Sequence, residues 1–129
     1  MSYSTKEIWV PCDSQARVLA STSESAVLAV QAGEANLARG LIFGVHIIAS
    51  AAAAGNSSVI VNLYSDAAKT LLLYSVTFDL DTANVGSAVH DLDTLATPIP
   101  VFKTPYVTVK PGAATSMTFT TTFFVKALA

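Results

Sequence analysis

The groups in this chain best suited to chemistry are four aspartates gathered in fifteen residues: Asp79 and Asp81, then Asp91 and Asp93, with His90 beside the second pair. In an extended Asp-x-Asp both side chains point the same way, so each pair offers oxygens to a hard cation such as Ca²⁺, with loop carbonyls completing the shell. No lysine or arginine lies between Lys69 and Lys103 to neutralise them. A cation-binding loop sets its ligands at fixed spacing, and no such spacing accompanies these acids. The plainer reading is that they keep a surface loop solvated.

Other reactive groups stand apart from one another. His46 lies in an apolar run, on the face opposite Val45 and Ile47, where metal ligation or a proton switch competes with the plainer role of a packed or interface side chain. His90 reads as a loop residue paired with Asp91. Cys12 is the single cysteine, so it makes no internal disulfide and no multi-thiolate metal site, and it fits a reducing compartment. Asn56-Ser57-Ser58 has the pattern of a glycosylation acceptor but reads as a turn. The glycines, at 33, 40, 44, 55, 86 and 112, match neither a dinucleotide fingerprint nor a phosphate-cradling loop. Nucleophile-elbow and His-Glu metalloprotease patterns are also missing. With no nucleophile or acid/base pair to name, the sequence gives no expectation of an enzyme and none of a cofactor. Tyr64, Tyr74 and Tyr106, with Trp9, are candidates for an aromatic platform that stacks on sugar, against the plainer account of core or sheet-face packing.

These groups must be positioned by strands. Residues 41–49, 58–64 and 71–80 are apolar, β-branched and aromatic runs separated by small or polar residues, the pattern of consecutive antiparallel strands. In the second run Val59, Val61 and Leu63 share a face against Asn62. In the third, Leu72, Tyr74, Val76, Phe78 and Leu80 oppose Ser75, Thr77 and Asp79. The run 116–126 puts Met117, Phe119, Phe123 and Val125 on one face. Thr118, Thr120, Thr122, Phe124 and Lys126 take the other, and Thr121 is the one small polar residue on the apolar side.

Shorter strands are expected at 17–20, 26–30, 99–103 and 106–110, with one helical turn over 14–19 as the alternative to the first, and turns at 22–25 and at Pro111-Gly112. Residues 33–36 make a polar break. Residues 81–97 read as a long surface loop holding at most one short strand. Ile8, Trp9 and Val10, ended by Pro11, read as an edge strand or as an arm spanning residues 1–12 that docks on a neighbour. The sum is seven or eight strands in one all-β domain over residues 1–129, an antiparallel, jelly-roll-like β-sandwich.

Composition bears on partners. Apolar residues are 52% and charged residues 12% of the 129, and the net charge is −2. Mean hydropathy is +0.53 and the pI about 5.5. That charged share is about half that of an ordinary soluble domain, so much of the surface is expected to be covered by other subunits. The seven cations are scattered, which excludes the clustered basic footprint of a nucleic-acid binder. No targeting segment is expected. The most apolar window, 41–54, is interrupted by His46 and falls short of the roughly 20 residues that span a bilayer, so no membrane partner is expected.

The run Ala38-Arg39-Gly40-Leu41-Ile42-Phe43-Gly44-Val45-His46-Ile47, then Val59-Ile60-Val61-Asn62-Leu63-Tyr64, then Leu71-Leu72-Leu73-Tyr74-Ser75-Val76, resembles small β-sandwich virion proteins of tailed bacteriophages. The likeness is one of strand and turn types over residues 37–126, and the alternating Thr/Val strand at 115–125 belongs to it. Phe102-Lys103-Thr104-Pro105-Tyr106 stands where that family has Phe-x-x-Gly-Leu. The resemblance implies a non-enzymatic role in the virion, assembled in the host cytoplasm. The chain would be a capsid decoration or cement protein forming a homo-oligomer, such as a homotrimer, on the major capsid protein or another virion protein. Ile8, Trp9, Val10, Tyr106 and Phe124 are the expected interface residues, Trp9 foremost because tryptophan is a frequent interface anchor. The alternative is a carbohydrate- or receptor-binding module of a tail or fibre.

Overall fold

The computed structural model describes residues 9–12, 16–19, 21–32, 35–49, 57–80, 89–112 and 117–127. Eleven strands are found there: β1 (Trp9–Cys12), β2 (Ala16–Leu19), β3 (Leu28–Ala29), β4 (Gln31–Ala32), β5 (Ala35–Asn36), β6 (Gly40–Ala49), β7 (Ser57–Tyr64), β8 (Leu72–Leu80), β9 (Val89–Val101), β10 (Tyr106–Pro111) and β11 (Met117–Ala127). All pairings are antiparallel.

Two sheets form the sandwich. The first runs β1-β11-β6-β9, and β2 also pairs with β11, beside β1 along the same edge. The second runs β3-β10-β7-β8, and β4 with β5 makes a separate two-stranded ribbon. Taking β1 and β2 as one interrupted strand, each sheet is four strands wide and the order is that of a jelly roll, the double Greek key. The chain is therefore an antiparallel β-sandwich, as the alternation of apolar residues predicts.

The core is the seam between the sheets. Ile42, Val45, Ile47, Phe119, Phe123 and Val125 come from the first sheet, and Val59, Val61, Leu63, Phe78, Val107 and Val109 from the second, all buried in one cluster. On β11 the buried positions alternate with half-buried ones from Met117 to Lys126, as the period of two demands. Thr121, the polar residue among them, is fully buried because it accepts a hydrogen bond from Arg17 Nη1 at 3.0 Å. Arg17 sits on β2 opposite Phe119 and is itself buried, so a guanidinium enters the sandwich where the sequence suggested only a strand residue.

Three expectations change. Residues 89–101 form a thirteen-residue strand where the reading of 81–97 was a surface loop. The strand was hidden because β9 is an edge: only β6 needs its hydrogen bonds, so polar residues and prolines survive in it. Pro98 falls in the gap where the ladder jumps from Ile42↔Ile99 to Gly44↔Thr94, so its missing N–H breaks no rung. Second, Leu72 does not share the inner face with Tyr74, Val76 and Phe78. The register shifts at Leu63/Tyr64, which pairs Tyr64 with Leu72, leaves Leu72 half exposed and packs Leu73 against the core. Third, the strand expected at 99–103 ends at Val101, with Phe102 and Lys103 in a bend. Trp9–Cys12 form an edge strand on β11, with Trp9 opposite Lys126 and Pro11 opposite Phe124.

Candidate functional site

Cross-strand pairs place residues on the outer face of the first sheet in rows. Val18 lies opposite Thr118 and Ile48 opposite Thr120. His46 stands between Thr122 and Leu92, and Gly44 between Phe124 and Thr94. Leu41 stands between Lys126 and Pro100. Among the described residues Lys126 is the one lysine, arginine or acid in these rows. Val18 and Leu92, on the strands at its two edges, are 72% and 54% exposed, whereas His46, Ile48, Phe124 and Thr120 between them are half buried. The ring of Phe124 closes over Gly44: a Cβ there would lie 3.8 Å from Phe124 Cδ2 and 2.9 Å from the Asp93 carbonyl oxygen.

The outer face of the second sheet is polar and aromatic. Tyr106 and Tyr64 are direct cross-strand neighbours, next to Thr108 and Asn62. Glu24 reaches onto this face from the segment before β3. Its Oε1 accepts hydrogen bonds from Tyr64 Oη at 2.8 Å and Thr108 Oγ1 at 2.6 Å, and Lys69 Nζ lies 3.4 Å away. Ser25 fixes the segment, its N–H donating to the Val109 carbonyl and its Oγ accepting from Val109 N–H, both at 2.9 Å. Partial burial pushes the Glu24 carboxyl up, but the hydrogen bonds from Thr108 and Tyr64, together with the Lys69 ammonium, outweigh it and hold the pKa below the usual carboxylate value. Burial first, and then the bond to Glu24, raises the Tyr64 phenol.

This network makes a stability prediction. A carboxylate whose folded pKa is depressed contributes stability above its unfolded pKa of about 4.3, and loses it as pH falls through the lower folded value. Glu24→Ala is expected to cost about 1–3 kcal/mol at pH 7, because it strands the hydroxyl of the fully buried Thr108. In urea titrations across acid pH the difference between wild type and variant should shrink as Glu24 protonates. A difference that stays constant down to pH 2 would refute the assignment.

At one end of the sandwich the β7–β8 and β9–β10 turns expose Leu71, Leu72 and Phe102, the last at 76%. Phe102 also lines a cavity of about 290 Å³ with Ser65, Leu73, Pro100, Val101 and Lys103. Lys103 is the only titratable group among these lining residues, so the cavity offers no acid/base pair. The neighbouring turn is tied by Asp66, which accepts from both the Thr70 hydroxyl and the Thr70 N–H. These two bonds, the hydroxyl's first, hold the Asp66 carboxyl below its ordinary pKa.

The sequence candidates scatter over this frame. Asp79 is exposed on β8 of the second sheet, while Asp93 is half buried on β9 of the first, opposite Val45. Asp81 and the side chain of Asp91 lie outside the described residues. No three His, Cys, Asp or Glu side chains converge on a metal position among the described residues. His46 stands on the outer face, half buried. Ile8 and the side chains of Trp9, Val10 and Cys12 lie outside the described residues, as do Asn56 and the side chain of His90. Phe124 and Tyr106 occupy opposite outer faces of the sandwich, so one flat contact cannot use both. Of the proposed aromatic platform, Tyr64 and Tyr106 are adjacent, whereas Tyr74 faces inward, its hydroxyl buried without a hydrogen-bond partner among the described residues. Glu24 was missed because it is a lone acid in an expected turn, and nothing local ties it to partners 40 and 84 residues away. No protein-family model matches the chain, and no curated protein matches it.

Proposed function

We propose that this chain is a non-enzymatic structural protein of a virus particle, of the capsid decoration or cement kind, that acts by adhesion. The outer face of the first sheet carries this reading: its rows of Leu, Ile, Val, Phe and Thr, with Lys126 as the single full charge among the described residues, suit burial against a shell subunit better than contact with water. The jelly roll agrees, being a fold of capsid domains; lectins and cupins share it, and the apolar outer surface is what favours the capsid reading. Copies bound at many lattice sites would stabilise the shell by mass action on the assembled state.

Val18→Asp with Leu92→Asp tests it. Both side chains are largely exposed, so the fold should change by no more than about 0.5 kcal/mol per substitution. Particles stripped of the chain and supplied with wild type should regain it and withstand more heat, while the double variant should occupy them at least about tenfold more weakly. Equal occupancy by the variant, or absence of the chain from purified particles by mass spectrometry, would refute the proposal.

A second reading rests on the Tyr64–Tyr106 pair, whose rings and neighbouring polar groups suit a carbohydrate or receptor glycan. Against it, the Tyr64 hydroxyl already serves Glu24, and Lys69 Nζ stands 5.9 Å from the centre of the Tyr64 ring. A glycan-array signal lost in Tyr106→Ala would favour this reading.

A further inference from the structure

Four sheet edges close the two layers of the sandwich, and three carry a device that discourages pairing with another chain. The β1/β2 edge is interrupted and holds Pro11; β3 is two residues long; β9 holds Pro98, Pro100, Asp91 and Asp93 and a break in its ladder. β8 is different. It runs nine residues, Leu72–Leu80, with no proline and no lysine or arginine, and Asp79 near its end is its one charge. Among the described residues it pairs only with β7, and none of them takes up the backbone N–H and C=O groups on its other side.

The middle of β8 is nearly symmetric about Val76: Tyr74 mirrors Phe78 and Ser75 mirrors Thr77, while outside these five residues Leu73 mirrors Asp79 and the match ends. An antiparallel strand of the same sequence, related by a twofold axis through Val76, therefore meets like with like on both faces over residues 74–78. Tyr74 would lie opposite Phe78 of a second copy and Val76 opposite its counterpart on the inner face, with Ser75 opposite Thr77 on the outer face. The inner row is also unfinished. Val61 and Leu63 on β7 are fully buried, whereas their neighbours Val76 and Tyr74 on β8 are only half buried, which an added strand would correct.

From this self-complementary edge we infer that the chain forms a twofold dimer by pairing β8 with β8 of a second copy, joining the two second sheets into one eight-stranded sheet. Such an isologous contact closes on itself and stops at two copies. It leaves the outer face of the first sheet free, so it does not depend on the particle role proposed above.

Sedimentation equilibrium of the full chain tests it. Wild type should sediment as a dimer. Ser75→Glu with Thr77→Glu sets like charges opposite each other across the axis and should raise the dimer dissociation constant about tenfold. Ser75→Glu with Thr77→Lys sets opposite charges there and should restore the wild-type value. Ser75 and Thr77 are exposed, so circular dichroism and melting should be unchanged in both, which separates loss of pairing from loss of fold. A wild-type monomer, a trimer, or a dimer indifferent to the charge pattern would overturn the inference. A dimer that fails to bind particles would keep it and end the adhesive reading instead.

Discussion

Phe123→Ala should lower the free energy of unfolding by about 3–5 kcal/mol, a large part of the 5–15 kcal/mol that holds a typical domain together. Phe123 has no exposed surface and sits on β11, flanked in the first sheet by Cys12 of β1 and Val45 of β6, with its face turned to the second sheet. Removing the ring empties a space that strands hydrogen-bonded on both sides cannot collapse to fill. Phe124, the next residue, lies half buried on the outer face, so Phe124→Ala should cost clearly less. Urea titrations should show the difference in midpoint at unchanged slope. Equal losses at the two positions would mean that the inner and outer faces are assigned wrongly.

Gly112→Ala should also destabilise, by about 1–3 kcal/mol, although replacing glycine often helps by restricting the unfolded chain. The Gly112 N–H donates to the Ser58 carbonyl at 2.6 Å, which draws the end of β10 tight against the start of β7. A Cβ at this position would stand 2.7 Å from Ser58 O and 2.9 Å from Ser58 N. Those are backbone atoms held in the sheet, so relief requires separating two strands rather than turning a side chain. Thermal melting is the direct measure: the midpoint should fall by several degrees. An unchanged or raised midpoint would show that the contact relaxes without cost.

Strands buried on one face declared themselves in the sequence. β6, β7, β8 and β11 lie inside a sheet or bear on the core, so their apolar residues recur with the period of the pleat. β9 did not, because an edge strand needs few apolar residues and tolerates proline. The slip that exposes Leu72 and turns Leu73 inward depends on pairing with Tyr64, which no local pattern reveals. The outer faces were half legible. Alternation predicted that Phe124 and the threonines face away from the core, but it gave no sign that Tyr106 looks out from the opposite layer. The polar contacts were the least legible. Arg17 finds Thr121 across 104 residues, and a strand pattern says only that Thr121 faces inward, not what it meets there.

In the first sheet β11 is the hub: β1, β2 and β6 all pair with it, and only β9 reaches the sheet through β6 instead. A ribosome makes that hub after every strand it must join, so β1 and β2 leave the exit tunnel with no partner in their sheet, and β6 has only β9 to pair with. The edge of β6 that β11 takes then stays unpaired until the last strand emerges, and cellular holding factors have that whole interval in which to engage it.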